Sequence, residues 1–265
     1  MRLLLLTVAM VLGAAEVGPD KGSLLAVGGG DVGVEIQQRF LRMAGGPDAP
    51  LVVVPTAGEW ESYGDDSHDA QFWRKAGFRN VAVLHSRDRA VADLASFTAP
   101  LASARAVWFS GGRQWRLVDA YLGTRTQREI EAVLQRGGVI GGSSAGATIQ
   151  GSYLVRGARA GNTIMMAPGY EQGFGYLTGV AIDQHLLRRH REKDLLPVIA
   201  RFPKLLGIGI DEATAVVVKG DLMEVIGVSK AAIYDAGYGR KPGYYFLKPG
   251  DRFDLKARRA LRAVK

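Results

Sequence analysis

Cysteine is absent from the chain. That one absence removes disulfides, thiol nucleophiles and thiolate metal ligands together. Long apolar runs are missing as well. Leu3 to Leu12 is almost wholly apolar, but it falls short of the roughly 20 residues that a spanning helix needs. There is no repeat of solenoid period, no Ser/Pro-rich linker and no low-complexity tract. Zinc-finger spacing, helix-turn-helix patterning and aromatic RNA-binding boxes are also lacking, so nucleic acid is not an expected partner. This holds despite a net charge of +8 and a pI of about 9.8. The basic residues are dispersed, gathering only at Arg188-Arg189-His190-Arg191 and from Lys256 to Lys265. Such a surface suits an anionic small substrate or an anionic cell surface. No His/Asp/Glu spacing suggests a metal site, and no cofactor is expected. Histidine is scarce, with only four residues, so any imidazole chemistry has few candidates.

What is present is a chain of 265 residues, 47% of them hydrophobic, enough to bury a sizeable core. Its start reads as an export signal. Met1-Arg2 is basic, an apolar run follows, and Gly13-Ala14-Ala15 supplies small residues at a cleavage point. A buried first strand is the other reading of that run, but a core strand already begins at Leu24. The expectation is therefore a signal over 1–15, cut near Ala15, and a single α/β domain over 16–265. Its destination would be periplasmic or extracellular.

Short apolar runs alternate with helical patterns. Strands are predicted at Leu24–Val27, Leu51–Val54, Val81–Leu84, Ala106–Phe109 and Val139–Ile140. A helix is predicted over Val34–Met43, and Thr126 to Glu129 reads as a capping box opening another. Strands that are apolar throughout point to a mostly parallel sheet sandwiched by helices. After about Gly207 the pattern becomes β-rich, with strands that extend or flank the sheet. Ligands in such folds gather at the carboxyl ends of the strands. Glycine clusters at 28–30, 111–112 and 141–142 all fall there. Gly28 to Gly33 fits a loose Gly-x-Gly-x-x-Gly, yet the acidic residue about twenty positions on is missing. A tight turn packed beneath the site is the better reading.

Gly142-Ser143-Ser144-Ala145-Gly146 follows a strand and precedes a helical stretch, Ala145 to Gly151. This is the pattern of a nucleophile elbow. The bend is sharp, so its flanks must be small, and Ser144 stands at the apex. The amide of Ala145 can face an oxyanion, and Gly112 can supply a second amide from a neighbouring strand end. The hydroxyl needs a base. His68 and His85 occupy polar loop positions, and His190 lies in a charged run. His185 follows Val180-Ala181-Ile182 at another strand end, which makes it the best base by position.

Four motifs then occur in order. They are Phe109-Ser110-Gly111-Gly112-Arg113-Gln114, Gly142 to Ala147, Asp183-Gln184-His185-Leu186 with Arg189 and Arg191, and Leu206 to Glu212. Together, over roughly residues 23 to 235, the chain resembles the cyanophycinase family of serine peptidases, relatives of the aspartyl dipeptidase peptidase E. The resemblance implies a fold like class I glutamine amidotransferases, with serine replacing their cysteine. It implies Ser144 as nucleophile, His185 as general base, and a homodimer. It also implies a substrate pocket containing Gln114, Asp183, Gln184, Arg189 and Arg191. Cyanophycinases hydrolyse β-aspartyl-arginine polymers. One family arginine is replaced here by Asp194, which is expected to change which substrate end is recognised. The acid that orients the histidine is expected some eighteen residues after the serine, where Asn162 stands; Glu171 is the other candidate. Asp211 and Glu212 are expected near the active-site face without a catalytic role. The overall expectation is an exported serine peptidase cutting aspartyl or β-aspartyl bonds in a small peptide or isopeptide. An esterase or amidase on the same elbow, and a catalytically silent peptide-binding homologue, are the alternatives.

Overall fold

The computed structural model describes residues 17–237 and 243–261. The expected signal over 1–15 lies outside the described residues. Among the described residues no helix is long and apolar enough to cross a membrane.

The first part of the chain alternates as predicted. It runs β1 (Ser23–Val27), α1 (Val34–Ala44), β2 (Leu51–Val54), α2 (His68–Lys75) and β3 (Val81–Val83). Short helices α3 (Arg89–Ala92) and α4 (Ala95–Thr98) precede β4 (Ala106–Phe109). Helices α5 (Gln114–Tyr121) and α6 (Arg125–Gln135) lead into β5 (Val139–Ser143) and the single-turn α7 (Ala145–Thr148). Then come β6 (Gly151–Tyr153), β7 (Leu177–Gln184), α8 (Leu195–Arg201) and β8 (Leu206–Ile210). The chain closes with β9 (Thr214–Lys219), β10 (Leu222–Gly227), β11 (Ala231–Asp235), β12 (Gly243–Leu247), β13 (Arg252–Asp254) and β14 (Arg259–Leu261). Helix α6 starts one residue before the expected capping box. Thr126 does not cap it, because its hydroxyl donates to the carbonyl of Ala92 at 2.7 Å.

Two sheets result, not one. The larger has the order β14-β13-β10-β9-β1-β5-β4-β2-β3, and the smaller β12-β11-β8-β7-β6. Strands β1, β5, β4, β2 and β3 are parallel. On the far side of β1 the larger sheet continues antiparallel through β9, β10, β13 and β14. The cause is local. β9 and β10 are joined by Gly220-Asp221 alone, and a two-residue link permits only an antiparallel hairpin. The β-rich C-terminal part therefore both extends the first sheet and supplies β8, β11 and β12 of the second.

Side chains alternate across β1 as the pleat demands. Leu24 and Ala26 face a core shared with Ile182, Ile208 and Ile233 of the second sheet. Leu25 and Val27 face the opposite layer with Ile36, Phe40 and Trp73 of α1 and α2. The outer face of the second sheet is covered by Leu195, Val198 and Ile199 of α8. Phe40 is fully buried and packs on Trp73 and Trp108 with ring centroids 4.8 and 5.1 Å apart. Truncating such a residue costs about 3–5 kcal/mol. Because β1, β5, β4 and β2 run parallel, their carboxyl ends share one edge. Val27 pairs with Ser143, and Phe109 with Gly142. Chain segments 28–30, 110–112 and 144–146 thus emerge side by side.

Candidate active site

The residue after β5 is bent hard. Ser144 has φ 54° and ψ −110°, a conformation whose strain is about 1–3 kcal/mol. Its neighbours explain the glycines. A Cβ on Gly142 would enter the backbone of Gly146, and one on Gly146 would enter the backbone of Phe109. The bend is held by the amide of Ser144 donating to Val27 O at 2.9 Å. Two further bonds hold it, with the amides of Ala147 and Thr148 donating to Ser144 O at 3.0 Å. The helix that follows lasts one turn, shorter than expected, before the chain extends into β6.

Ser144 Oγ lies 2.9 Å from His185 Nε2. His185 Nδ1 lies 2.6 Å from Glu212 Oε1. With the carboxylate accepting from Nδ1–H, Nε2 is left as the acceptor for the serine hydroxyl. His185 is buried, with φ 56°, and its amide donates to Gly28 O at 2.7 Å. Burial pulls its pKa below the ordinary histidine value. Glu212 opposes that shift, and the positive charge of Arg189 adds to it.

The triple glycine backs this pair. A Cβ on Gly29 would lie 2.6 Å from His185 Nδ1, and one on Gly30 would lie 2.9 Å from Glu212 Oε2. The amide of Ala213 donates to Gly29 O at 2.9 Å, and that of Gly28 to Thr214 O at 3.0 Å. Backbone of the first turn thus ties the histidine segment to the acid segment. Asp211 completes the frame. Its Oδ1 accepts from the amides of Leu187 and Arg188 at 2.9 Å, and its Oδ2 from Ser229 Oγ at 2.6 Å. Burial alone would raise the Asp211 pKa; the bonds from Ser229 and the amides outweigh it and lower it.

Neither expected orienting residue sits at His185. Asn162 is exposed, and its carbonyl accepts from Arg156 Nη1 at 2.7 Å. Glu171 accepts from the hydroxyl of Tyr153 at 2.7 Å. Both belong to the segment between β6 and β7, away from the imidazole. The carboxylate at the imidazole is that of Glu212, which was expected to have no such part. It stands in the crossover from β8 to β9, the step by which the chain passes from one sheet to the other at the site's edge. The apolar strand Leu206–Ile210 running straight into Asp211-Glu212 was the available signal.

Gly111 lies beside the nucleophile: a Cβ on it would be 3.5 Å from Ser144 Cβ. Gly112 follows with φ 138°, pressed against the carbonyl of Ala57. Ala145 opens α7 directly after Ser144.

Four of the five expected pocket residues are buried and engaged inside the protein. Gln114 is buried and donates Nε2–H to Val155 O at 2.8 Å. Asp183 is buried and held bidentately by Arg156, at 2.7 and 2.9 Å. Asp194, expected to alter recognition directly, accepts from the same guanidinium at 2.6 Å. Arg156 is thus a fully buried cation shared by two carboxylates. Gln184 accepts from Arg191 Nη1 at 3.1 Å through its side chain and its carbonyl. Arg191 is buried, and burial together with nearby Arg156 lowers its pKa. Arg189 is exposed. Among the histidines not at the nucleophile, His85 is half-buried. It bonds Thr56 Oγ1 at 2.9 Å and Glu61 O at 3.1 Å.

Comparison with known proteins places the chain in a family. Residues 24–226 match peptidase family S51. The chain is 33% identical over 221 residues to a cyanophycinase of Geminocystis herdmanii, covering 81% of each chain. It is 33% identical over 226 residues to a cyanophycinase of Synechococcus elongatus, covering 81% of this chain and 68% of that one. The crystal structure of a peptidase from an acI-B1 Actinobacterium superposes with a TM-score of 0.66 at 24% identity, over 89% of this chain and 98% of that one. That likeness extends the agreement to the fold. The matched span takes in the strained serine, the imidazole and the acid alike, and the chain belongs to peptidase family S51 as a serine-type peptidase.

Proposed function

We propose that the protein cleaves aspartyl or β-aspartyl peptide bonds through an acyl-enzyme on Ser144. The observation that carries this is the unbroken chain of hydrogen bonds from Ser144 Oγ through His185 to Glu212. Ser144 Oγ attacks the carbonyl carbon while its proton passes to His185 Nε2. The resulting oxyanion is held by the amides of Ala145 and Gly112. Collapse breaks the C–N bond, and the imidazolium gives its proton to the departing amine. Water, deprotonated by the same nitrogen, then frees the acid and restores the serine. Glu212 stabilises the imidazolium in both halves. An aspartyl substrate is supported by the similarity to cyanophycinases and by Arg189 and Arg191 near the dyad. Arginine suits a carboxylate because its planar fork can bind both oxygens. Export is proposed from the basic start, apolar run and small residues of Met1 to Ala15.

The test is a panel of aspartyl and β-aspartyl dipeptides beside simple esters, run on the parent protein and on Ser144→Ala. Turnover of aspartyl peptides that vanishes in the variant, with its thermal midpoint kept, is the expected result. Preference for esters would assign the elbow to an esterase. Failure of the parent protein either to turn over any of them or to react with a fluorophosphonate would defeat the reading.

A further inference from the structure

The edge of the larger sheet opposite Ser144 carries a hollow that the peptidase reaction does not use. Its volume is about 690 Å³. It lies where β1 and β5 begin and β9 ends, between α1 and the last turn of α6. Four cations line it: Lys21 before β1, Arg39 of α1, Arg136 after α6 and Lys219 closing β9. Among the described residues no aspartate or glutamate does. Strand β1, of five residues, separates the hollow from Gly28, whose carbonyl accepts from the His185 amide. A strand of that length spans roughly 16 Å, twice the Debye length of about 8 Å at physiological salt. These cations therefore do not steer a substrate to Ser144, and the catalytic chemistry gives them no part.

Their charge is left open toward the hollow. Lys21 and Lys219 are exposed, and neither ammonium group has an ion pair or hydrogen bond among the described residues. Arg39 gives Nη2 to Glu224, and Arg136 gives Nη2 to Leu101 O at 2.7 Å. Nε and Nη1 of both guanidinium groups make no hydrogen bond among the described residues. Nor do the hydroxyl of Ser23 and the side-chain amide of Gln135, which line the same wall. Negative groups close by are already occupied. Glu224 is held by Arg39, and Asp221 accepts from the amides of Val17 and Gly18 at 2.8 and 3.2 Å. Asp20 and Glu131 line a separate hollow. The last carbonyls of α6 would repel an anion, but they accept from the amides of Arg136, Gly137 and Gly138 at 3.1, 2.7 and 2.9 Å. Gly22 brings Lys21 against that turn, since a Cβ on it would stand 2.4 Å from Gly138 O.

Four cations less the carboxylate of Glu224 leave a formal excess of three. A lone carboxylate would match only one of these, whereas linked phosphoryl groups can match them all. Guanidinium forks take two oxygens of one phosphoryl group, and ammonium groups act as point charges beside them. We propose that this hollow binds an anion of two or more phosphoryl groups, free in solution or carried along a polymer. The site is independent of the peptidase reading.

The experiment titrates inorganic pyrophosphate into the whole protein by calorimetry, with orthophosphate at equal ionic strength as the comparison. Saturable binding of one pyrophosphate per chain is expected, about tenfold tighter than orthophosphate. Lys21→Gln/Lys219→Gln should weaken it about tenfold, the effect of two exposed charge contacts, and each single substitution about threefold. The melt without ligand should be unchanged. Lys75→Gln/Lys193→Gln removes the same charge at exposed residues that do not line the hollow, and it should stay within twofold. Ser144→Ala should do so as well. Displacement of pyrophosphate by a poly(glycerol phosphate) chain would assign the site to polymer-borne phosphate; its retention would assign a free phosphate compound. Absence of saturable binding overturns the proposal. An equal loss in both lysine pairs overturns it too, because net charge rather than the hollow would then hold the anion. A loss in Ser144→Ala has the same force, since the anion would then sit at the nucleophile.

Discussion

Gly29→Ala tests whether the first turn sets the imidazole. At φ 114° the backbone lies outside the regions open to an L-residue, so alanine is strained before any contact is made. Its methyl would stand 2.6 Å from His185 Nδ1, 2.8 Å from Nε2, and closer still to Cε1. Ordinary van der Waals contact begins at 3.4 Å, so the ring must retreat by roughly 1 Å. The ring is fixed at both nitrogens, at 2.9 Å from Ser144 and 2.6 Å from Glu212. A retreat of that size cannot preserve both bonds. Misplacement on the scale of 1 Å costs about 10²-fold in rate. The strain in the turn is separate and falls on stability, at about 1–3 kcal/mol. The assay is fluorophosphonate labelling of Ser144 beside a thermal melt. A loss of about 10²-fold in labelling, with a melt lowered by several degrees but still cooperative, is expected. Labelling within threefold of the parent would refute the argument, because it would mean that the imidazole does not depend on the bare glycine behind it.

Glu212→Gln should lower the labelling rate by at least about 10²-fold through loss of imidazole orientation. Asn162→Ala and Glu171→Gln should each stay within twofold, and a large loss in either would restore it as the orienting residue. The acid limb of the rate profile should fall below the ordinary histidine pKa, because burial keeps His185 neutral at lower pH than usual. Arg189→Gln removes a positive charge that disfavours the imidazolium, so that limb should move upward in a pH series of labelling rates; a downward move would contradict the assignment. Arg156→Met leaves Asp183 and Asp194 facing each other without their cation, a loss of about 3–5 kcal/mol that a thermal melt would register as roughly 10 °C. A melt unchanged within 2 °C would show that the buried ion cluster is not a support of the fold.

Much of this arrangement was legible in the sequence because its signals are short-range. Gly142-Ser143-Ser144-Ala145-Gly146 encodes its own bend, since only small residues fit against Phe109 and Gly146. Five all-apolar strand runs before residue 145 declare a parallel sheet, and a parallel sheet places its loops on one edge. Glu212 was not legible in the same way. Its contact with His185 depends on β8 belonging to one sheet and β9 to the other, so that the three residues between them cross at the site. Two sheets and one sheet share the same local pattern of short strands. The resemblance puts the acid between serine and histidine, where Asn162 and Glu171 lie, whereas the fold brings the carboxylate of Glu212, 27 residues after the histidine, to the imidazole. Asp183 was misplaced for a related reason. Nothing in the local sequence says that Arg156, 27 positions upstream, folds back to take both of its oxygens.

Net charge misled in an instructive way. A total of +8 suggested an anionic partner, but a substrate feels mainly charges within a Debye length, about 8 Å at physiological salt. Within that range the arginines are unequal. Arg156 is cancelled by Asp183 and Asp194, and Arg87 by Glu61. Arg189 is exposed and has no ion pair among the described residues, so no partner offsets its charge. Local pairing rather than the total therefore decides which charges a substrate at Ser144 meets.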